Sequence, residues 1–176
     1  MTVTFITPTL ETERLLLRAP KLSDARAFMA FYATERSQHT GGPKSARKAW
    51  DFFGTEIGHW VMNGFGMFVV TLKGDDTPLG IVGHWYPYGW AEREVGWILF
   101  DTAHEGKGIA YEAARACINH AYDTLGWDTV VSYIAPENSA SIKLAERLGA
   151  TLDNDAPKPE TSGPCLIYRH PVPEAA

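Results

Sequence analysis

The segment Glu105-Gly106-Lys107-Gly108-Ile109-Ala110 joins an apolar, strand-like run to a long amphipathic stretch. The first amides of a helix lack partners within it and stand at the positive end of its dipole, so an anion fits there. Glycine at 106 and 108 lets the main chain approach a large anion closely, and Lys107 adds charge. The same glycines also suit a tight strand-to-helix turn without a ligand. Two familiar phosphate loops are excluded. A P-loop needs Ser or Thr after its Lys, where this chain has Gly108, and the dinucleotide fingerprint needs a third glycine where it has Tyr111.

A second segment, Ala135-Pro136-Glu137-Asn138-Ser139-Ala140-Ser141, leaves a strand and enters the next helix. The Asn138 side chain has both a carbonyl and an NH2 group, so it can cap that helix or bond an amide-rich ligand.

The elements that must position these segments follow from periodicity and turn chemistry. Residues 13–19 have strand character and stop at Pro20, after which Ser23 or Asp24 can cap a helix through Phe28, Phe31 and Tyr32. The run Gly41–Pro43 marks a loop. From 45 to 62, Trp50, Phe53, Ile57, Trp60 and Val61 recur at helical spacing. Three hairpin-linked strands follow, at 65–72, 79–86 and 93–100. A helix over 109–125, a strand over 129–135 and a helix over 139–148, closed by Gly149, come next. Residues 153–163 read as a loop and 165–170 as a last strand. The sum is a mixed α/β domain with one sheet and helices on its faces, spanning residues 1–176 without a linker or internal repeat.

Composition narrows the functional classes. In 176 residues, 45% are hydrophobic, enough for a core, and 16 basic against 21 acidic residues give −5, so no general attraction to nucleic acid or anionic membranes is expected. Cys117 and Cys165 and the six histidines (His39, His59, His84, His104, His120, His170) show no metal-ligand spacing. The start, MTVTFITPTL, has no signal-peptide pattern and no run is long enough to span a bilayer, so the expected location is cytoplasmic.

Taken together, the ordered segments resemble the GNAT superfamily of N-acetyltransferases. Its pyrophosphate motif, Q/R-x-x-G-x-G/A, is met here as Glu105-x-x-Gly108-x-Ala110. GKGIAYEA, TERLLLRAPKLSDA, EVGWIL and ENSASIKLAERLGA match the branch that includes bacterial ribosomal-protein N-terminal acetyltransferases. The resemblance covers about residues 12–168. It implies one mostly antiparallel mixed sheet, splayed between strands 93–100 and 129–135 (the family's fourth and fifth). Acetyl-CoA is then the cosubstrate, its pantetheine paired with main chain around Ile98 and Phe100 and its pyrophosphate on amides of Glu105, Gly106, Lys107, Gly108, Ile109 and Ala110. Asn138 would bond the pantetheine, and Lys143 is a candidate for the 3′-phosphate. The implied partner is a primary amine, on a small molecule or a protein N-terminus, taken by a monomer or homodimer.

The resemblance also assigns chemistry. A proton must leave an alkyl ammonium with a pKa near 10, and the implied base is Glu94, with Glu92 as substitute at the preceding same-face position. Ser141 is the nearest hydroxyl for the departing sulfur, because Ala145 stands where many members carry a tyrosine. An amide near Phe100 would stabilise the oxyanion. No metal is implied. His104 lies close enough to the loop to touch phosphate, and the aromatic loop 87–91 is a candidate wall of the acceptor site. The departures, Glu105 for Gln or Arg, Ala145 for Tyr and Ala150 for Phe, leave a non-catalytic acyl-CoA-binding module as the alternative.

Overall fold

In the computed structural model, residues 7–160 and 163–173 are described, and residues 1–6, 161–162 and 174–176 lie outside them. The strands are β1 (Leu10–Glu11), β2 (Leu15–Arg18), β3 (Met67–Leu72), β4 (Gly80–Trp85), β5 (Glu94–Leu99), β6 (Val130–Ile134), β7 (Thr151–Leu152) and β8 (Leu166–His170). They form one sheet in the order β1-β2-β3-β4-β5-β6-β8-β7. Every pairing is antiparallel except β5 with β6. The helices are α1 (Ala25–Tyr32), α2 (Ala46–Asn63), α3 (Ile109–Asp123) and α4 (Ser139–Arg147).

Alternation along the strands divides the core. Val70, Val82 and Val95 pack with Ala113, Ala114, Cys117 and Ile118 of α3. Val69 and Ile81 pack on the other face with Phe28, Phe31 and Tyr32 of α1 and Phe53 of α2. A third cluster, Ile134, Ala145, Ala150 and Tyr168, seats α4 on β6 and β8.

One expectation changes, and the buried side of α2 is settled. Asp24 stands at the start of α1, but its buried carboxylate accepts from both Arg18 guanidinium NH groups and from the Lys21 amide rather than capping the helix. The buried stripe of α2 is Ala49, Phe53, Glu56, His59 and Trp60, whereas Trp50, Ile57 and Val61 are exposed. Burial therefore follows the direction in which α1 and the sheet hold this helix, not the densest apolar spacing.

The parallel pair β5–β6 has a single registered pair, Glu94 opposite Val131, after which the strands separate. The Val131 amide still donates to the Arg93 carbonyl. Beyond it, side chains replace the missing ladder. The Ser132 hydroxyl donates to the Val95 carbonyl at 2.6 Å, and the Tyr133 amide donates to the Glu94 carboxylate at 3.3 Å. Since Ser132 gives its proton to a carbonyl, His170 Nε2, 2.9 Å away, must be the protonated nitrogen and donate to Ser132 Oγ. Burial holds that imidazole neutral, its pKa pushed down to about 4. Removing this hydroxyl strands two buried polar groups. Ser132→Ala should lower the unfolding free energy by about 2–3 kcal/mol, read from urea midpoints; an unchanged midpoint would contradict the latch.

Candidate functional site

The loop before α3 is built for an open amide cluster. Gly106 and Gly108 have φ of 70° and 77°, values that L side chains rarely adopt, and Gly108 is the N-cap of α3. The cap turns the first amides of a 15-residue helix toward the fork between β5 and β6. Glu112, in the first turn, does not face that opening. It accepts from Thr12, from the Arg14 amide and from Arg14 Nε, and Arg14 donates on to the Lys107 carbonyl at 3.0 Å. The chain before β2 thereby holds the loop from behind.

A cavity of about 570 Å³ runs from this loop into the fork. Its lining includes Ile98, Glu105, Gly106, Gly108, Ile109, Ala110, Asn138 and Ser141. Arg36, His104, Lys143 and Arg147 also border it, which makes a basic rim suited to a polyanion. A groove of about 680 Å³ lies behind α3, where Glu11, Glu13, Glu112 and Asp123 outnumber Arg14 and Arg115 along its border. That acidic lining disfavours a phosphate ligand. Arg36 offsets the carboxylate of Glu105 with an ion pair at 2.8 Å.

Asn138 serves as cap without exhausting its side chain. Its Oδ1 accepts from the Ser141 amide at 3.2 Å, which leaves the NH2 group to donate into the cavity it lines. The Ser141 hydroxyl accepts from Trp97 Nε1 at 3.1 Å. Ala145 is fully buried against Ile134, Ala150 and Tyr168 and offers no hydroxyl.

The main chain facing the fork is shifted by one residue from the expected one. The Phe100 amide donates to the Leu79 carbonyl. A Cβ on Gly80 would lie 2.0 Å from the Ile98 carbonyl, so that group also points toward β4. By strand alternation the groups of Trp97 and Leu99 face the fork, and the Leu99 carbonyl accepts from Arg36 at 3.1 Å. Ile98 lines the cavity and packs, like Phe100, against the α1–α2 cluster, and the amides turned toward the fork are those of Trp97 and Leu99.

Glu94 lies on the α1–α2 face of β5, 8% exposed, beneath the aromatic loop before it. Trp90 Nε1 donates to its Oε2 at 2.7 Å, and the Tyr133 amide to its Oε1. Burial pushes its carboxyl up to about 7, against these two donors, which pull it down. Glu92 is no substitute. Its carboxylate is held by both NH groups of Arg169, at 2.8 and 3.0 Å, and Arg169 also pairs with Asp153.

Glu56 of α2 was not foreseen. It is 4% exposed and its Oε2 has no hydrogen-bond partner. Burial and then the charge of Glu94 push it up to about 8. Glu94 has two donors and Glu56 has no donor to its Oε2, so the shared negative charge rests on Glu94 and the proton on Glu56. The sequence signal was its place three residues after Phe53 and four before Trp60, inside the buried stripe. Arg36 had no local signal at all.

Residues 14–151 match the acetyltransferase (GNAT) domain family. The chain belongs to that family. An acetyltransferase of known structure from Agrobacterium tumefaciens is 37% identical, with a TM-score of 0.87, over 97% of this chain and 98% of that one. A ribosomal L7/L12 α-N-protein acetyltransferase, RimL, solved with coenzyme A, shares the fold at 17% identity and a TM-score of 0.72, over 93% of this chain and 97% of that one. The uncharacterized N-acetyltransferase YnaD of Bacillus subtilis is 27% identical over 82 residues, 47% of this chain and 48% of that one. The chain thus spans about half the length of this curated relative. Among the described residues, no cluster of His, Cys, Asp and Glu could hold a metal ion, and no helix is long and apolar enough to cross a membrane.

The buried carboxyl of Glu56 sets a pH dependence. In the folded state it keeps a proton that the unfolded chain releases above about pH 4.5, so its contribution is fully present below that pH. It is lost as pH rises toward about 8. The loss is on the order of 5 kcal/mol at most. Glu56→Gln, which cannot ionise, should be more stable than the parent chain at pH 8 and equal to it near pH 5, by urea unfolding. A constant difference across that range would show that the carboxyl does not titrate as described.

Proposed function

We propose that this chain transfers the acetyl group of acetyl-CoA to a primary amine by direct attack in a ternary complex. The observation that carries the reading is the fork itself. A free helix N-terminus and unpaired strand amides line the cavity that opens from it, and Glu94, a carboxyl poised near neutrality, stands at the last β5–β6 pair, where the fork begins.

Acetyl-CoA supplies an activated thioester. The amides from Gly106 to Ala110 would hold its pyrophosphate, with Lys143 and Arg147 near the remaining phosphate and the Asn138 NH2 group on the pantetheine. The Trp97 and Leu99 amides face the position where negative charge develops on oxygen. Glu94 takes the amine proton, and its pKa near 7 leaves it substantially ionised at neutral pH. Trp90 covers this carboxylate, so the acceptor must displace the indole or exchange the proton through water. The Ser141 hydroxyl faces the departing sulfur.

The fold neighbours include an enzyme named for a ribosomal-protein N-terminus and another named for aminoglycosides. Both are amine acceptors, and the acceptor of this chain belongs to that broad class. The near-neutral Glu94 favours an enzyme over a silent acyl-CoA-binding module.

Two experiments test the reading. Acetyl-CoA at about 1 mM should raise the melting temperature while NAD and ATP do not, since a ligand of the native state stabilises it; no shift would remove the cosubstrate. Glu94→Gln should lower turnover about 100-fold or more, typical of general-base removal, with acetyl-CoA affinity unchanged. In the parent chain kcat/KM should fall as pH drops below about 7, where Glu94 gains its proton, and the variant should lack this limb. Parental turnover in Glu94→Gln from pH 6 to 9 would dismiss Glu94 as base.

A further inference from the structure

We infer that Trp97 is a positioning residue for the reaction: its indole N–H fixes the Ser141 hydroxyl so that the hydroxyl proton points at the sulfur of the acyl donor. The inference rests on the proposed function and assigns a part of the machinery that the fold alone does not specify.

Trp97 sits at the opening of the fork, past the last β5–β6 pair, and shares its face with Val95 and Leu99. Its ring packs against two clusters at once. One is the α3 core, and the other is Ile134, Ala145, Ala150 and Tyr168 beneath α4. It also meets the His170 ring edge-on, with centroids 6.3 Å apart. The ring is thereby wedged between β5 and α4, and the smallness of Ala145 gives it room.

The hydrogen bond then has one possible polarity. An indole nitrogen donates and cannot accept, so at 3.1 Å the Ser141 oxygen must be the acceptor. The hydroxyl proton has to point elsewhere. Serine in the first turn of a helix usually satisfies its hydroxyl on nearby main chain. Here the Ser141 amide is taken by Asn138, and no acceptor among the described residues takes the hydroxyl proton. Both Trp97 and Ser141 line the cavity, so the unassigned proton is directed into it. A donor held in place before charge develops needs no reorganisation during the step. As the amine nitrogen bonds to the acetyl carbon, the C–S bond breaks and its electron pair leaves on sulfur. The amine proton goes to Glu94, and Ser141 donates a hydrogen bond to the sulfur, which later takes a proton from water.

The test combines activity with a binding readout that needs no turnover. CoA bound to the parent chain should ionise its thiol at lower pH than free CoA, seen as thiolate ultraviolet absorbance during a pH titration. Trp97→Phe keeps most of the ring and removes the donor. It should raise the bound thiol's pKa by about one unit and lower kcat about tenfold, the scale of one hydrogen bond, with KM for acetyl-CoA within twofold. Ser141→Ala should do at least as much, and the double variant should match Ser141→Ala, because Trp97 acts only through that oxygen. Trp97→His, which keeps a ring N–H, should recover part of the thiol shift, and it decides the matter if Trp97→Phe does not fold. Multiplicative losses in the double variant, or a bound-thiol titration unmoved by loss of the indole, would overturn the inference. Failure of the parent chain to bind CoA would instead remove the proposed function, so the two failures are separable.

Discussion

The parting of β5 from β6 after one registered pair governs the rest of this molecule. A parallel ladder that stops inside a sheet exposes main-chain donors and acceptors, and each must find another partner. Ser132 satisfies the Val95 carbonyl, Glu94 the Tyr133 amide and Arg36 the Leu99 carbonyl. The groups that remain, on Trp97 and Leu99, are the ones a strand-like ligand can use. The same side chain that closes the fork at its narrow end, Glu94, carries the site's near-neutral carboxyl. Structural repair and the chemistry proposed for the site thus fall to one residue.

Charge is distributed against the average of the chain. The formal net charge is −5, yet the cavity is rimmed by Arg36, Lys143 and Arg147, with α3 presenting its positive end. Glu105, the one carboxylate in the loop, is offset by Arg36. Glu94 and the orphaned carboxyl of Glu56 lie buried on the α1–α2 face of β5.

Most of the architecture was legible because it is local. Strand and helix boundaries, the glycine loop, the cap at Asn138 and the closing glycine of α4 each depend on residues within a few positions of one another. Four ordered segments were enough to place the family. A local rule names Asp24 as a cap, but Arg18 competes for its carboxylate, and the buried side of α2 follows the packing of α1 rather than apolar spacing alone.

The sequence by itself determined the main elements, their order and the segments proposed to meet a cosubstrate. Tertiary structure decided which main-chain groups of β5 face the fork, because strand register shifts every amide by one side and no local signal fixes it. It tied Glu92 to Arg169 and left Glu94 near neutrality, a distinction made by burial and by partners 39 to 77 residues away. It also brought Trp97 to Ser141 across 44 residues. Contacts of that span arise only when the sheet has assembled, so the chemistry of the site is a property of the fold.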